Sequence, residues 1–168
     1  MSEKDQIIKE KLDHSGIFNF ADVYGYMHNW LKDNGYGVNE EKYSEKISLK
    51  GERDISFEWK ATRAMSDYFK IELGIKADVS GLSDVEVEID SQKKKMNKGK
   101  IALELKGTMI KDPKNNWDES KPFLKFLREM YDKYIIPDRV DAVEGKIEGD
   151  VRALKDEIKV FLELTGKR

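Results

Sequence analysis

The chain contains no cysteine, and this absence excludes a disulfide framework, a zinc site built on thiolates and a thiol nucleophile. Its two histidines are too few for a histidine-rich metal site. Long apolar runs are also missing, because no run approaches the roughly 20 residues that a membrane-spanning helix needs. We therefore expect no transmembrane segment and no metal.

The chain also has no large excess of positive or negative charge. The 31 Lys and Arg residues nearly balance the 33 Asp and Glu residues, so the whole molecule has no strong electrostatic preference for nucleic acid or acidic lipid. The first residues, Met1 to Asp13, are charged and lack the apolar core of a secretory signal. These features predict a cytoplasmic protein whose partner is not nucleic acid.

Catalytic signatures are absent too. The sequence has no G-x-S-x-G, P-loop, H-E-x-x-H or EF-hand pattern. His28 falls beside the apolar stripe of a predicted helix, where a histidine at the core boundary is the simpler interpretation, and His14 falls in a predicted tail. We therefore predict no catalytic residue and no cofactor, and we favour a non-enzymatic protein.

What the chain does have is alternation of apolar and polar residues. From Phe69 to Val79 every second residue is apolar, which is typical of a strand with one dry and one wet face. The same alternation predicts strands over residues 43–49, 55–62, 85–90 and 101–109, and Met96-Asn97-Lys98-Gly99 predicts the turn of the last hairpin. Short connections favour an antiparallel meander.

Helical spacing flanks these strands. Asn19 is a plausible N-cap for a helix that ends at Asn34-Gly35, Ser120 begins a second helix, and residues 138–164 predict a long third one. The predicted fold is α+β: an N-terminal helix, a five-stranded antiparallel meander, and two C-terminal helices, with the long last helix packed across the sheet. Residues 1–18 are predicted as a tail or short frayed helix, and 19–168 as a single domain.

One candidate site is a cavity between the sheet and the long last helix. Large apolar side chains on the inward faces can enclose a gap of ligand size under such a helix. The residues expected to line it are Phe57, Trp59, Ile71, Leu73, Leu103, Leu105, Val151 and Leu154. The alternative is that these side chains simply pack the core.

The other candidates lie on the surface. A basic run of Lys93, Lys94, Lys95 and Lys98 can protect an exposed hairpin from aggregation or track a phosphate backbone, and we favour protection. Alternate carboxylates of residues 86, 88 and 90 fit a cation site or cross-strand pairs with lysines, and we favour the pairs. Gly145 and Gly149, four apart in the long helix, fit a partner helix, a kink or mere tolerance.

Two resemblances accompany these patterns. Segments Trp30 to Tyr36, Met96 to Gly99 and Phe123 to Arg128 resemble those of a family of uncharacterised archaeal proteins, along most of the chain. That family has no known activity, so the resemblance implies no mechanism. The order of elements is also similar in outline to helix-grip proteins, which hold apolar ligands, but this analogy of shape carries no residues. We therefore expect a binding or assembly module with a protein partner or a second copy, or alternatively an apolar small-molecule carrier.

Overall fold

The computed structural model describes residues 3–111 and 137–166, together with Phe123, Phe126, Leu127 and Met130 between them. Five antiparallel strands form one sheet in the order β1-β5-β4-β3-β2. The elements in chain order are β1 (Glu3–Phe18), α1 (Phe20–Asp33), β2 (Gly37–Ile47), β3 (Arg53–Ala64), β4 (Phe69–Ile89), β5 (Gln92–Lys111) and α2 (Pro137–Gly166).

The predicted fold class is wrong in its order of elements. A strand precedes α1, because residues 3–18 form β1 instead of a tail or frayed helix. The strands predicted over 69–79 and 85–90 are one strand, β4, so the number five is reached with different strands. In the described part of the chain a single helix, α2, lies near the C-terminus. The helix predicted from Ser120 falls outside the described residues, apart from the four named above.

Helix α1 forms where the sequence predicts it. The Asn19 side chain accepts a hydrogen bond from the Asp22 backbone N–H at 3.1 Å, which satisfies one of the free donors of the first turn. Val23, Met27 and Leu31 recur four apart and are all buried. This stripe faces the core of the molecule.

The inward face of the sheet carries the core. Alternate residues of β3, β4 and β5 are buried on that face, among them Phe57, Ile71 and Leu105. Helix α2 covers β1 and β5 with a stripe of buried side chains at spacings of three and four: Val143, Ile147, Val151, Leu154, Ile158 and Leu162.

Gly107 sets how closely α2 approaches the sheet. A Cβ built on this residue would overlap the Cγ2 methyl of Ile147 and lie 3.2 Å from Cγ2 of Val151. It would also lie 3.0 Å from Cγ2 of Ile8 in β1. The helix therefore rests almost directly on the backbone of β5.

Polar contacts join α2 to α1. The Tyr36 hydroxyl, just after α1, donates to the buried carboxylate of Asp150 at 2.6 Å, and Lys146 Nζ lies 3.0 Å from the same carboxylate. About two turns further along α2, Tyr26 donates to Glu157 and stacks on Phe161 with ring centroids 4.8 Å apart. Because Asp150 is both hydrogen-bonded and ion-paired, its burial is compensated.

The outward face of the sheet is charged. One row of neighbours crosses all five strands with alternating sign, and its members are Lys42, Glu58, Lys76, Glu104 and Lys11. Cross-strand pairs of opposite charge stabilise a sheet by a fraction of a kcal/mol each. This face is therefore a solvated surface held by balanced charges.

Candidate interaction arm and aromatic hollow

The β4–β5 hairpin extends beyond the rest of the sheet as a two-stranded arm. We define the arm as residues 83–96, because the pairing of β4 with β3 ends at Leu82 and the pairing of β5 with β1 begins at Asn97. Residues 83–89 would span about 23 Å at 3.3 Å per residue. Asp90 and Ser91 make the turn at its tip, both with positive φ, as a two-residue hairpin loop with a type I′ turn requires.

The root of the arm is fixed by Asn97 and Gly99. Asn97 Oδ1 accepts from the Phe20 backbone N–H, and its Nδ2 donates to Asp84, both at 2.9 Å. A Cβ on Gly99 would lie 3.0 Å from the Ser80 carbonyl oxygen and 3.1 Å from Leu82 Cα, so this close approach favours glycine. The predicted turn at Met96 to Gly99 is therefore wrong. Asn97 and Gly99 lie at the root of the arm, and the turn of the hairpin is made by Asp90 and Ser91.

The two edges of the arm carry opposite charge. Its β4 edge has the acidic residues Asp84, Glu86 and Glu88. Its β5 edge has the basic residues Lys93, Lys94 and Lys95. In the register of the hairpin Glu86 is opposite Lys95 and Glu88 is opposite Lys93, so these two cross-strand pairs are neutral while each edge is charged. Within the described residues, neither edge is hydrogen-bonded to another strand.

An exposed apolar turn lies at the same end of the sheet. Ile47 pairs with Arg53, and Arg53 pairs with Leu82, so the β2–β3 turn adjoins the root of the arm on its acidic side. Ile47 is 70% exposed and Leu49 is fully exposed. A strand docked on the acidic edge would lie in line with β3, beyond its end. It would therefore begin beside Ile47 and Leu49.

A separate hollow of about 340 Å³ opens between α1, β2 and β3. Its lining consists of Tyr24, Gly25, His28, Asn29, Val38, Glu40 and Trp59. The rings of Tyr24 and His28 both meet Trp59 edge-on, at centroid distances of 4.9 and 5.7 Å. Gly25 leaves the helix side of the hollow open, because a Cβ there would have no heavy atom within 4 Å.

Hydrogen bonding at the mouth of the hollow centres on Tyr24. Its hydroxyl donates to Glu40 Oε2 at 2.6 Å. Burial, followed by this hydrogen bond, raises the pKa of Tyr24 to about 12, while the indole N–H of Trp59 acts in the opposite direction. Trp59 is only 2% exposed, and its Nε1 lies near the Tyr24 hydroxyl without forming a well-aligned hydrogen bond. The phenol is therefore neutral at physiological pH, and the carboxylate of Glu40 supplies the charge.

The eight residues predicted to line a cavity all belong to the core. Each is at most 2% exposed, and they pack in one cluster of buried side chains. Of these eight residues, Trp59 alone also lines the hollow between α1, β2 and β3. A cavity under α2 stays a prediction.

The surface candidates lie in two separate regions. Lys93, Lys94 and Lys95 lie on the arm and Lys98 just beyond its root, all exposed. Gly145 and Gly149 lie on the outer side of α2, and neither would bring a Cβ within 4 Å of another group. Their side of the helix therefore meets neither the sheet rim nor α1 within the described chain.

The remaining predicted groups do not assemble into a metal or catalytic centre. Within residues 3–111 and 137–166 no three His, Cys, Asp or Glu side chains could hold a metal ion together. His14 lies in β1 with a buried Nε2 that has no partner, and His28 lines the hollow. Phe123 and Phe126, which belong to the helix predicted from Ser120, are 69% and 56% exposed. No helix among the described residues is long and apolar enough to cross a membrane.

Sequence reasoning missed two elements of these sites. Gly25 was not singled out, although a glycine in the interior of an amphipathic helix costs about 1 kcal/mol relative to alanine and so indicates an open or crowded position. Glu40 lies next to Glu41, where the β2–β3 register shifts, and the sequence carries no signal for that irregularity. In comparisons with known proteins, no family model, curated protein or solved structure matches the chain.

Proposed function

We propose that this chain is a non-enzymatic assembly module whose arm pairs with the arm of a second copy. The observation that carries the proposal is the separation of charge on the arm, with an acidic β4 edge and a basic β5 edge, both unpaired in the described residues. Unpaired strand edges are templates for strand addition, and their charges decide which edges can meet.

Like edges repel and unlike edges attract. Two acidic β4 edges, or two lysine-bearing β5 edges, would bring charges of the same sign into cross-strand positions, which is destabilising. The β5 edge of one copy against the β4 edge of the next brings Lys93 and Lys95 towards Glu86 and Glu88. The same lysines thus prevent indiscriminate edge pairing, as the sequence predicts, and allow one specific pairing.

Such pairing is head-to-tail. A heterologous contact of this kind leaves one free edge at each end, so it generates rings or open chains instead of a closed dimer. The contact is short, because the free β5 edge has only residues 92–96. An interface of well under 1,000 Å² gives a weak, transient association, which the burial of Ile47 and Leu49 beside the docked strand would strengthen.

Sedimentation velocity at increasing protein concentration tests this proposal. We expect species that extend beyond the dimer at low salt and dissociate as the ionic strength rises towards about 0.5 M, because exposed charges are screened. Replacing Lys93, Lys94 and Lys95 with Gln should weaken association about tenfold or more. The matched control replaces Lys4, Lys32 and Lys159 with Gln, which changes the net charge equally on exposed sites away from the arm.

A second variant keeps the arm intact while reversing both edges. The E86K/E88K/K93E/K95E variant retains opposite charges at both cross-strand positions, so it should associate with itself as the native chain does. In a mixture with the native chain, the β4 edge of the variant is basic and attracts the acidic β4 edge of the native chain. The two β5 edges attract each other in the same way, so we expect complexes that contain both chains. Monomers at all concentrations up to about 1 mM, or equal association of the two lysine variants, would contradict the proposal.

A further inference from the structure

The hollow between α1, β2 and β3 has the architecture of an aromatic box with an acidic rim. Three rings line it, and Tyr24 and His28 stand at 79° and 88° to the plane of Trp59. The face of an aromatic ring carries negative charge density, whereas its edge is positive. We propose that this hollow binds a small alkylammonium cation, such as a trimethylammonium head group, between the rings and the carboxylate of Glu40.

The charge of the lining favours a cation. Glu40 is the one Asp, Glu, Lys or Arg side chain among the described lining residues, and it lies at the exposed rim. Its bond from the Tyr24 hydroxyl orients the carboxylate without neutralising it. An ammonium over aromatic faces gains from the ring quadrupole, most strongly for tryptophan, and the gain is larger where water is partly excluded.

Trp59 is hard to explain as a core residue alone. Its indole N–H is buried without a well-aligned hydrogen bond, and an unpaired buried donor is destabilising. A phenylalanine would fill much of the same space without that donor. The quadrupole of tryptophan attracts a cation more strongly than that of phenylalanine, which gives a reason for an indole beside the hollow.

The space also fits a small head group. A volume of about 340 Å³ lies at the lower end of the range of ligand sites. Gly25 and Val38 form the uncharged walls, and Gly25 leaves room for the methyl groups of the cation because its Cα faces open space. Because Gly25 belongs to the lining, a large side chain there would narrow the hollow.

Titration calorimetry with choline tests the site against a matched neutral compound. The probe pair is choline and 3,3-dimethylbutan-1-ol, which replaces the charged nitrogen with carbon at nearly the same shape. We expect choline to bind in the millimolar range, as the few atoms of such a ligand allow, and the neutral compound to bind at least tenfold more weakly. Equal binding of the two, or no heat with choline, would overturn the proposal.

Variants locate the binding to the hollow. Gly25→Leu should abolish choline binding, whereas Gly145→Leu, the same change at an exposed helical glycine with open space around it, should leave binding unchanged. Glu40→Gln should weaken binding about tenfold. Trp59→Phe should weaken it several-fold. Choline binding that survives Gly25→Leu would place the site elsewhere and refute the proposal.

Two sources of the head group are distinguishable. Phosphatidylcholine vesicles that pellet the native protein, but not Gly25→Leu, would identify a lipid head group. Choline binding without vesicle pelleting would identify a free cation. Both results support the same chemistry at the hollow.

Discussion

The contact between Gly107 and α2 provides the sharpest test of the fold. Replacing Gly107 with Ala adds a methyl group that overlaps Ile147 Cγ2 and crowds Ile8 and Val151. Overpacking of a well-packed core costs about 1–3 kcal/mol, against a gain of about 0.5–1 kcal/mol from replacing glycine in a strand. We expect a net loss of about 1–2 kcal/mol in the free energy of unfolding.

The matched control lies one residue away in the register. Gly74 is opposite Lys106 on the outward face, where a Cβ would meet nothing nearer than Lys106 Cβ at 3.9 Å. Gly74→Ala should therefore be neutral or stabilising. Urea denaturation followed by tryptophan fluorescence measures both variants. A Gly107→Ala protein as stable as the Gly74→Ala protein would refute the close approach of the helix.

A double-mutant cycle isolates the contact. Ile147→Ala alone should cost about 2–5 kcal/mol, because it empties a fully buried position. In that background Gly107→Ala should cost much less, since the overlapping methyl is gone, and the coupling should reach about 1 kcal/mol or more. Additivity within about 0.5 kcal/mol would show that the two residues do not touch.

Three further predictions concern the surface and the α1–α2 contact. Replacing Lys93, Lys94 and Lys95 with Gln should change the free energy of unfolding by less than about 0.5 kcal/mol in urea, and a larger loss would mean that the fold depends on them. Changing Gly145 and Gly149 to Ala should raise stability by up to about 2 kcal/mol with unchanged sedimentation, because their sides are open; a loss of stability would reveal a contact. Burial and the bond to Asp150 raise the pKa of Tyr36, so its contribution is present below about pH 10, where the unfolded tyrosine keeps its proton, and falls as the pH rises further. The denaturation midpoint should fall less steeply between pH 10 and 12 in Tyr36→Phe, and equal slopes would contradict this.

Local signals in the sequence predicted α1 and most of β3 to β5. The Asn19 cap and the buried stripe of α1 are local features, and tertiary packing agrees with them. β3 and the first half of β4 alternate cleanly because one face is dry. Where the surroundings of an element are uniform along its length, a short stretch of sequence is enough to predict the element.

The errors arose where distant residues decide the outcome. β1 is a strand because it pairs with β5. Its own alternation of apolar and polar residues is interrupted, because His14 and Gly16 occupy inward-facing positions. The turn of the arm is made by Asp90 and Ser91, which lack the glycine that marks most such turns. Gly81, at the irregularity of β4, looks like the end of a strand and is instead the point where β4 continues into the arm.

The hollow and the arm were predictable to different degrees. A projecting basic hairpin follows from the lysine run and its alternating neighbours. The hollow depends on how α1 lies over β2 and β3, which no local pattern specifies. Its residues come from three elements, so the sequence shows only ordinary aromatics of a core and one glycine in a helix.

The order of the sheet has a consequence for how the chain folds during synthesis. β1 is made before the other described strands, yet among the described residues it pairs with β5 alone, the last of those strands to be made, with Glu3 opposite Lys111. Until then the hairpins β2–β3 and β3–β4 can form from neighbouring residues, whereas β1 must wait and close a long loop. We expect β1 to dock late, with α2, which contacts both β1 and β5. Nascent chains stalled before Lys111 should therefore expose residues 3–18 to protease, while full-length chains should protect them.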